Sequence, residues 1–492
     1  MDDRNLPILT RVEFFFSQAL AGWFYPKANW IASLENLVGL PLFYIIGLYQ
    51  WADFLNWGKI PADLSDWADI TFPRLAVLKD ALTRQMLPLN IQLATGMKGA
   101  TDRFLSIPDI FLSPQAILLR YIQSGPFILL DTLLFYSLGF YGLLCLRRKF
   151  NLSLAAFLPL FVLFNFNGHI VDHLSVGHFS WEGYFLLPFF ILLIFNLLEG
   201  ETNWKWVTKF SLLMLVIFLQ GSFHIFVWCL LFLSLLSLFI APIRKAGLLG
   251  ALSALLVSAF RIFPAGLVAA DLKFGFASGF TTLGDLLKGL VELVEPAHAL
   301  DTMTLLNPQA AWWEFDHYIG WIGLSFILVF GIYFWIKKRT CLPGYFELAL
   351  PIGLMTVLSI GHFYKPVFLL GIPLLNGERA PSRFLILPLV FLIILGAAQF
   401  QLWLNERKLS VAVQALLLAL SLIMLADVAQ HMESWKVIHL DTLFTSTPPD
   451  LAQWVVNNHA DPSYTLILAI GMAVSVLSVG FLVLLSAKTK KF

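Results

Sequence analysis

The chain has 492 residues, of which 59% are hydrophobic and 13% charged, and its mean hydropathy is +0.78. A soluble fold has too few buried positions for that much apolar surface, and a disordered or fibrous chain would show a different composition. Lys+Arg 32 against Asp+Glu 31 gives a net charge of +1, so there is no basic field for nucleic acid. The expected fold class is all-α: a polytopic bundle of helices in a bilayer.

In chain order, the first residues lack the charged, apolar and small-residue layout of a cleaved signal, so the first span is expected to serve as an uncleaved anchor. Residues 12–25 are aromatic and too short to cross, which suits an interfacial helix. About twelve apolar stretches follow: 36–52, 126–146, 152–168, 183–199, 208–221, 223–241, 246–263, 319–336, 346–361, 384–400, 410–427 and 465–487. Alternate breaks between them are basic. One set holds Arg147, Arg148, Lys149, Lys205, Lys209, Arg244, Lys245, Lys337, Lys338, Arg339, Arg407 and Lys408, with Lys488, Lys490 and Lys491 at the end. The short breaks of the other set hold only Lys365, Arg379, Arg383 and Lys436. Basic breaks face the cytoplasm. The expectation is a multi-pass plasma (inner) membrane protein with both termini cytoplasmic. Residues 53–125 and 264–318 would then be long outer loops. The whole chain reads as one transmembrane unit with no C-terminal soluble domain. Cys145, Cys229 and Cys341 are far apart and form no metal spacing, so they read as packing residues.

In the first outer loop, Pro73 suits a first helical turn, and Leu75, Leu78, Leu82 and Met86 recur at helical spacing. This predicts an amphipathic helix that stops before Pro88. Asp66 and Asp69 precede it. A carboxylate at this boundary can take a proton from a water-borne hydroxyl; it can equally be a solvated residue or a helix cap.

Residues 166–182 contain His169, His173 and His178 with Asp172 and Glu182 nearby. A helix would put His169 and His173 on one face. Such a cluster can bind a phosphate, a sugar hydroxyl or a divalent metal; the plain alternative is an elbow whose histidines bond backbone. Arg379 and Arg383 stand just before a late span, on the side that should be poor in arginine. A guanidinium fork fits a lipid phosphate, though an arginine can also snorkel or pair with Glu378. Glu314, Asp316, His317 and Tyr318 form an acidic and aromatic edge suited to a sugar, over what is otherwise an aromatic belt. Asp131 and His224 fall inside spans and rank second as functional candidates.

The stretches SDWADITFPRLAVLKDAL, NGHIVDHLSVGHFSWEGYFLLP, WWEFDHYIGWIGL and ERAPSRFLILPL occur in this order over residues 30–400. Together they resemble the GT-C superfamily of integral-membrane glycosyltransferases, in its poorly characterised bacterial and archaeal branch. The resemblance implies inverting transfer of a hexosyl or pentosyl group from a polyprenyl-phosphate-linked donor to an acceptor glycan, lipid or protein on the outer face. By position it makes Asp66, then Asp69, the acid of the first outer loop. Arg379 and Arg383 would hold the departing lipid phosphate. His169, His173, His178, Glu182, Glu314, His317 and Tyr318 would line the donor or acceptor site. Some members use a divalent metal ion and others none, so a metal stays open. Many members carry a C-terminal soluble domain for the acceptor; this chain ends just after its last span, which implies a small or lipid acceptor or a partner subunit. Two other readings stand beside it: a transporter or flippase for a lipid-linked or anionic substrate, and a non-catalytic subunit of a membrane complex.

Overall fold

The computed structural model of the protein describes residues 22–25, 34–63, 65–91, 102–107, 109–269, 275–299, 311–337, 345–372, 374–440 and 461–487. Among these the chain is helical throughout, and the only extended pairings are the isolated bridges Asn90–Arg103 and Phe280–Ile360. The expected interfacial helix at 12–25 lies outside the described residues except for 22–25, of which 22–24 are helical and hold Trp23 edge-on to Phe43.

The first long helix is α1 (Leu34–Phe54). After it come a five-residue π turn (Trp67–Thr71) and α2 (Phe72–Thr83). Pro73 occupies the first turn of α2, and Leu75, Val77, Leu78 and Ala81 are buried. This is the expected amphipathic helix. Next are α3 (Ser124–Lys149), α4 (Leu154–Asn165) and α5 (Gly168–Ser175). A 3₁₀ segment (Phe179–Leu186) leads into α6 (Leu187–Leu198), then α7 (Trp204–Leu219) and α8 (Phe223–Phe239). A broken pair, α9 (Ala241–Val257) and α10 (Ala259–Ala269), bends by 72°. Then follow α11 (Leu283–Val291), α12 (Gly320–Phe326, continuing to Lys337), α13 (Ala349–Leu358) and α14 (Gly361–Leu369). A short 3₁₀ turn (Pro381–Leu385) opens α15 (Ile386–Asn405), and α16 (Val411–Ser434) and α17 (Pro462–Ser486) complete the bundle.

Eight helices among the described residues are long and apolar enough to cross a membrane, or nine with the bent pair. That is fewer than the twelve expected: α7 has 16 residues and α8 has 17, short of the roughly 20 a straight crossing needs. The weakest sequence boundary, between α7 and α8, is a real break. Polar side chains start several helices. Ser153, Asn203 and Asp461 each accept from a first-turn backbone N–H of the helix that follows.

Burial orders the bundle. The α4–α5 segment is buried over its whole length and forms the centre; the α16 and α17 windows are only 17% buried and present their side chains to lipid. α15 packs beside α4 and α12, and α10 packs on α17. At one end of the bundle, Lys436 reaches Asp53 at 2.7 Å, joining the ends of α1 and α16. At the same end, Arg261 in α10 is buried and donates to the backbone carbonyls of Leu105 (2.8 Å), Ile107 (2.5 Å) and Asp109 (3.0 Å). It fastens the first loop to the bend.

Replacing Arg261 with Ala would leave those carbonyls without donors. A hydrogen bond from a charged group contributes roughly 1.5–3 kcal/mol, so Arg261→Ala should destabilise the protein by about 2 kcal/mol or more. Denaturant unfolding of the purified protein checks this, and an unchanged midpoint would mean the loop is held by other contacts.

Candidate functional site

The segment carrying Asp66 is laid onto the histidine segment by main-chain bonds. Asp66 N–H donates to the Val176 carbonyl at 3.1 Å, the Trp67 indole donates to Ser175 O at 2.9 Å, and the Thr71 hydroxyl donates to Gly177 O at 2.7 Å. Gly177 has φ +101°, and a Cβ there would meet the Trp67 nitrogen at 2.3 Å. Only glycine permits both the left-handed turn and this approach. The result is a 2.9 Å contact between Asp66 Oδ2 and His178 Nε2.

His178 Nδ1 is in turn 2.7 Å from His173 Nδ1. The donors can be assigned. An ionised carboxylate only accepts, so His178 carries its proton on Nε2. If neutral, His178 accepts on Nδ1, and His173 donates from its own Nδ1. The His173 Nε2 lone pair is then left over, and among the described residues it has no partner.

His173 lies flat on Trp181, with ring centroids 4.0 Å apart and planes at 6°. Arg383 sits over the same indole, 5.0 Å from its centroid. Asp66 is within electrostatic reach of Arg383. Residues from the first loop and from the start of α15 thus meet around one aromatic ring. Glu314 joins them as the ion-pair partner of Arg383: its Oε1 is 2.5 Å from Nη2, and its Oε2 faces Nε. Burial opposes ionisation of Glu314, but the Arg383 guanidinium outweighs it and holds the carboxyl below its usual value. Glu314 is therefore the ion-pair partner of Arg383. Arg383 keeps Nη1 without a hydrogen-bond partner among the described residues. Arg379 is exposed and contributes only through its field, which also favours ionised Glu314. Glu378 binds neither arginine; it accepts from the Trp228 indole at 3.0 Å and contacts His224 Nδ1 at 2.8 Å. His224 stacks on Trp181 at 5.3 Å, so this histidine of α8 belongs to the same site.

The helix α5 puts His169 and His173 on one face, 4.7 Å apart, as their spacing predicts. His169 also stacks on His317 at 5.0 Å. His317 Nδ1 is 3.0 Å from the Phe315 carbonyl and so is the donor; among the described residues its Nε2 has no partner, and neither nitrogen of His169 has one. Burial pushes His317 down to about 4, so it is neutral at physiological pH. Three buried imidazoles therefore offer unfilled lone pairs for O–H or N–H donors, and His169 offers a free ring N–H besides.

Other expected residues lie elsewhere. Asp69 is half-buried in the π turn, past the residue that meets His178. Glu182 turns away from the histidines. The 3₁₀ geometry of 179–186 sends it to α3, where it accepts from Thr132 and, at 3.0 Å, from Gln220, which also reaches Asp131 at 2.7 Å. Tyr318 donates to Asp427 at 2.7 Å and stacks on His431 at 4.6 Å. It borders a separate group made of Asp172, Asp316 and His431, the one set among the described residues with metal-ligand spacing. His431 and Trp181 were not singled out from the sequence. His431 falls near the end of an apolar span, which is the signal that could have raised it.

No protein-family model, curated protein or solved structure matches this chain.

If Gly177 fixes the Asp66 turn, Gly177→Ala should cost about 1–3 kcal/mol through backbone strain and the clash with Trp67. Equilibrium unfolding measures this. An alanine variant as stable as the parent would show that the turn does not depend on glycine.

Proposed function

We propose that the protein is a membrane glycosyltransferase, moving a hexosyl or pentosyl group from a polyprenyl-phosphate-linked donor to an acceptor hydroxyl on the outer face, with inversion. One observation carries this reading: Asp66, held by His178, stands at the same Trp181–histidine stack as Arg383. A base and a phosphate-binding cation side by side are what a single displacement at a sugar phosphate requires. The acceptor oxygen attacks the anomeric carbon and loses its proton to Asp66, while the bond from that carbon to the phosphate oxygen breaks. Charge grows on the leaving phosphate, and Arg383 Nη1, supported by the field of Arg379, stabilises it. His178 orients the Asp66 carboxylate. The free lone pairs of His169, His173 and His317 suit sugar hydroxyls, which are O–H donors.

The same reading takes α7, α8, the bent pair and α13 as further crossings, giving twelve spans, with both termini in the cytoplasm of a plasma-membrane protein. It agrees with the resemblance to the GT-C superfamily. A flippase for a lipid-linked substrate is the second reading, favoured by the broken span at α9–α10, a device of transporters. Against it, Arg261 beside the break donates to three carbonyls of the first loop, and Asp66, His178 and Arg383 meet around Trp181.

Asp66→Asn should lower transfer of labelled sugar from a lipid-linked donor by about 10²–10⁴-fold while donor binding persists. Full turnover in that variant would remove Asp66 as the base. Arg383→Lys keeps the charge but loses the planar fork, and should weaken donor binding by about tenfold with expression unchanged; equal donor affinity would reduce Arg383 to a partner of Glu314. For sidedness, a cysteine placed at the exposed Asp63 in a cysteine-free background should react with an impermeant reagent from outside intact cells. Labelling only after permeabilisation would invert the topology.

A further inference from the structure

Beside the transfer site lies a cluster that the reaction above does not use. Asp172 comes from α5, Asp316 from the segment before α12, and His431 from the last turns of α16; all three are fully buried. His431 Nε2 is 3.1 Å from Asp316 Oδ2 and 3.6 Å from Asp172 Oδ1. The three ligand atoms lie within 4.8 Å of one another.

The three residues are held unequally. Asp316 is fixed from behind: the Trp312 indole donates to Oδ2 at 2.6 Å and Tyr318 N–H donates to Oδ1 at 2.8 Å. A Cβ on Gly168 would meet Asp316 Oδ1 at 1.8 Å, so the carboxyl is seated against bare backbone. The Tyr318 ring lies parallel to His431, at 8°. Asp172 has no such support: among the described residues neither of its oxygens has a hydrogen-bond donor. A carboxylate buried without donors is costly, and its oxygens face the two fixed groups. Ligands oriented by indole, amide and ring contacts, next to a bare carboxylate, are what an outer shell around a metal looks like.

We propose that Asp172, Asp316 and His431 bind one divalent transition-metal cation, Mn²⁺ or Zn²⁺. Two carboxylates and one imidazole suit these ions better than Ca²⁺, which takes oxygen ligands throughout, or copper(I), which prefers sulfur. Ligands about 2.1 Å from a tetrahedral ion stand about 3.4 Å apart, close to the two distances found here. Charge argues the same way. A dication between two carboxylates is neutral with both of them ionised and able to ligate. The cation ties α5, the segment before α12 and α16 at one point. Asp172 adjoins His173, and Asp316 lies two residues after Glu314, so the tie holds the backbone that presents both groups to Trp181. The site stands whether or not the chain transfers sugars, because Asp66 is not among its ligands.

The test uses the full chain, purified without a polyhistidine tag, stripped with chelator and titrated with Mn²⁺ under electron paramagnetic resonance. Metal analysis after equilibration with Zn²⁺ gives the stoichiometry. The expected result is one cation per chain and a higher melting temperature with metal. Asp172→Asn, which keeps the shape, and His431→Gln should each weaken binding by at least about tenfold, and Asp66→Asn should bind as the parent does. A parent protein that takes up no stoichiometric cation overturns the proposal, whatever the variants do. So does parent-like affinity in Asp172→Asn, or loss of the cation in Asp66→Asn, which would move the site to the first loop.

Discussion

The contact between Asp66 and His178 is the constraint on which the site depends. Asp66 comes from a loop and His178 from a turn between two central helices, and the apolar bundle offers a carboxylate few other donors. Main-chain bonds from Asp66, Trp67 and Thr71 to residues 175–177 set the register first. The side chains then have little freedom. With Asp66 ionised and the pair neutral, the proton on His178 Nε2 fixes the donor on His173, and the exposed lone pair of His173 follows. A shift of one residue in the loop would put Ser65 or Trp67 opposite His178 and remove the acid from the stack.

The remaining polar groups obey the same economy. A membrane bundle tolerates ionisable residues where they pair or face a cavity. Glu314 takes Arg383, Glu378 takes His224 and Trp228, and Asp131 shares Gln220 with Glu182. These groups come from segments far apart in sequence, yet they collect at the end of the bundle where Lys436 meets Asp53 and Arg261 holds the first loop. Broad apolar faces of α16 and α17 are left for lipid, while a second, smaller polar group (Lys149 with Glu199, Arg147 with Asn36) closes the opposite end.

Much of this frame was legible from the chain. Composition and apolar run length gave a helical membrane bundle, and Pro73 with the leucine spacing gave α2. Histidine spacing placed His169 and His173 on one face. The failures have physical causes. Run length cannot separate a full crossing from a 16-residue helix such as α7, so the long apolar helices number fewer than twelve. Nearness in sequence grouped Glu182 with the histidines, but residues 179–186 wind as a 3₁₀ helix, with fewer residues per turn, and Glu182 reaches Thr132 of α3 instead. Glu378 is the nearest acid to Arg379 and Arg383 in sequence, yet Glu314 is the partner of Arg383, because pairing here is decided by helix packing. Nothing local in the sequence joins His431 to Asp172.

The Arg383–Glu314 pair also limits how an anion can enter. Stripping Arg383 from Glu314 would leave a buried carboxylate alone, which costs several kcal/mol. An incoming phosphate therefore gains most by leaving that pair intact and taking Nη1, the part of the guanidinium Glu314 does not use. Trp181 below fixes the plane of the guanidinium, so Nη1 has a defined direction. In the proposed transfer Glu314, an apparent competitor for the guanidinium, would aim it, and the exposed Arg379 would add positive field for a doubly charged leaving group.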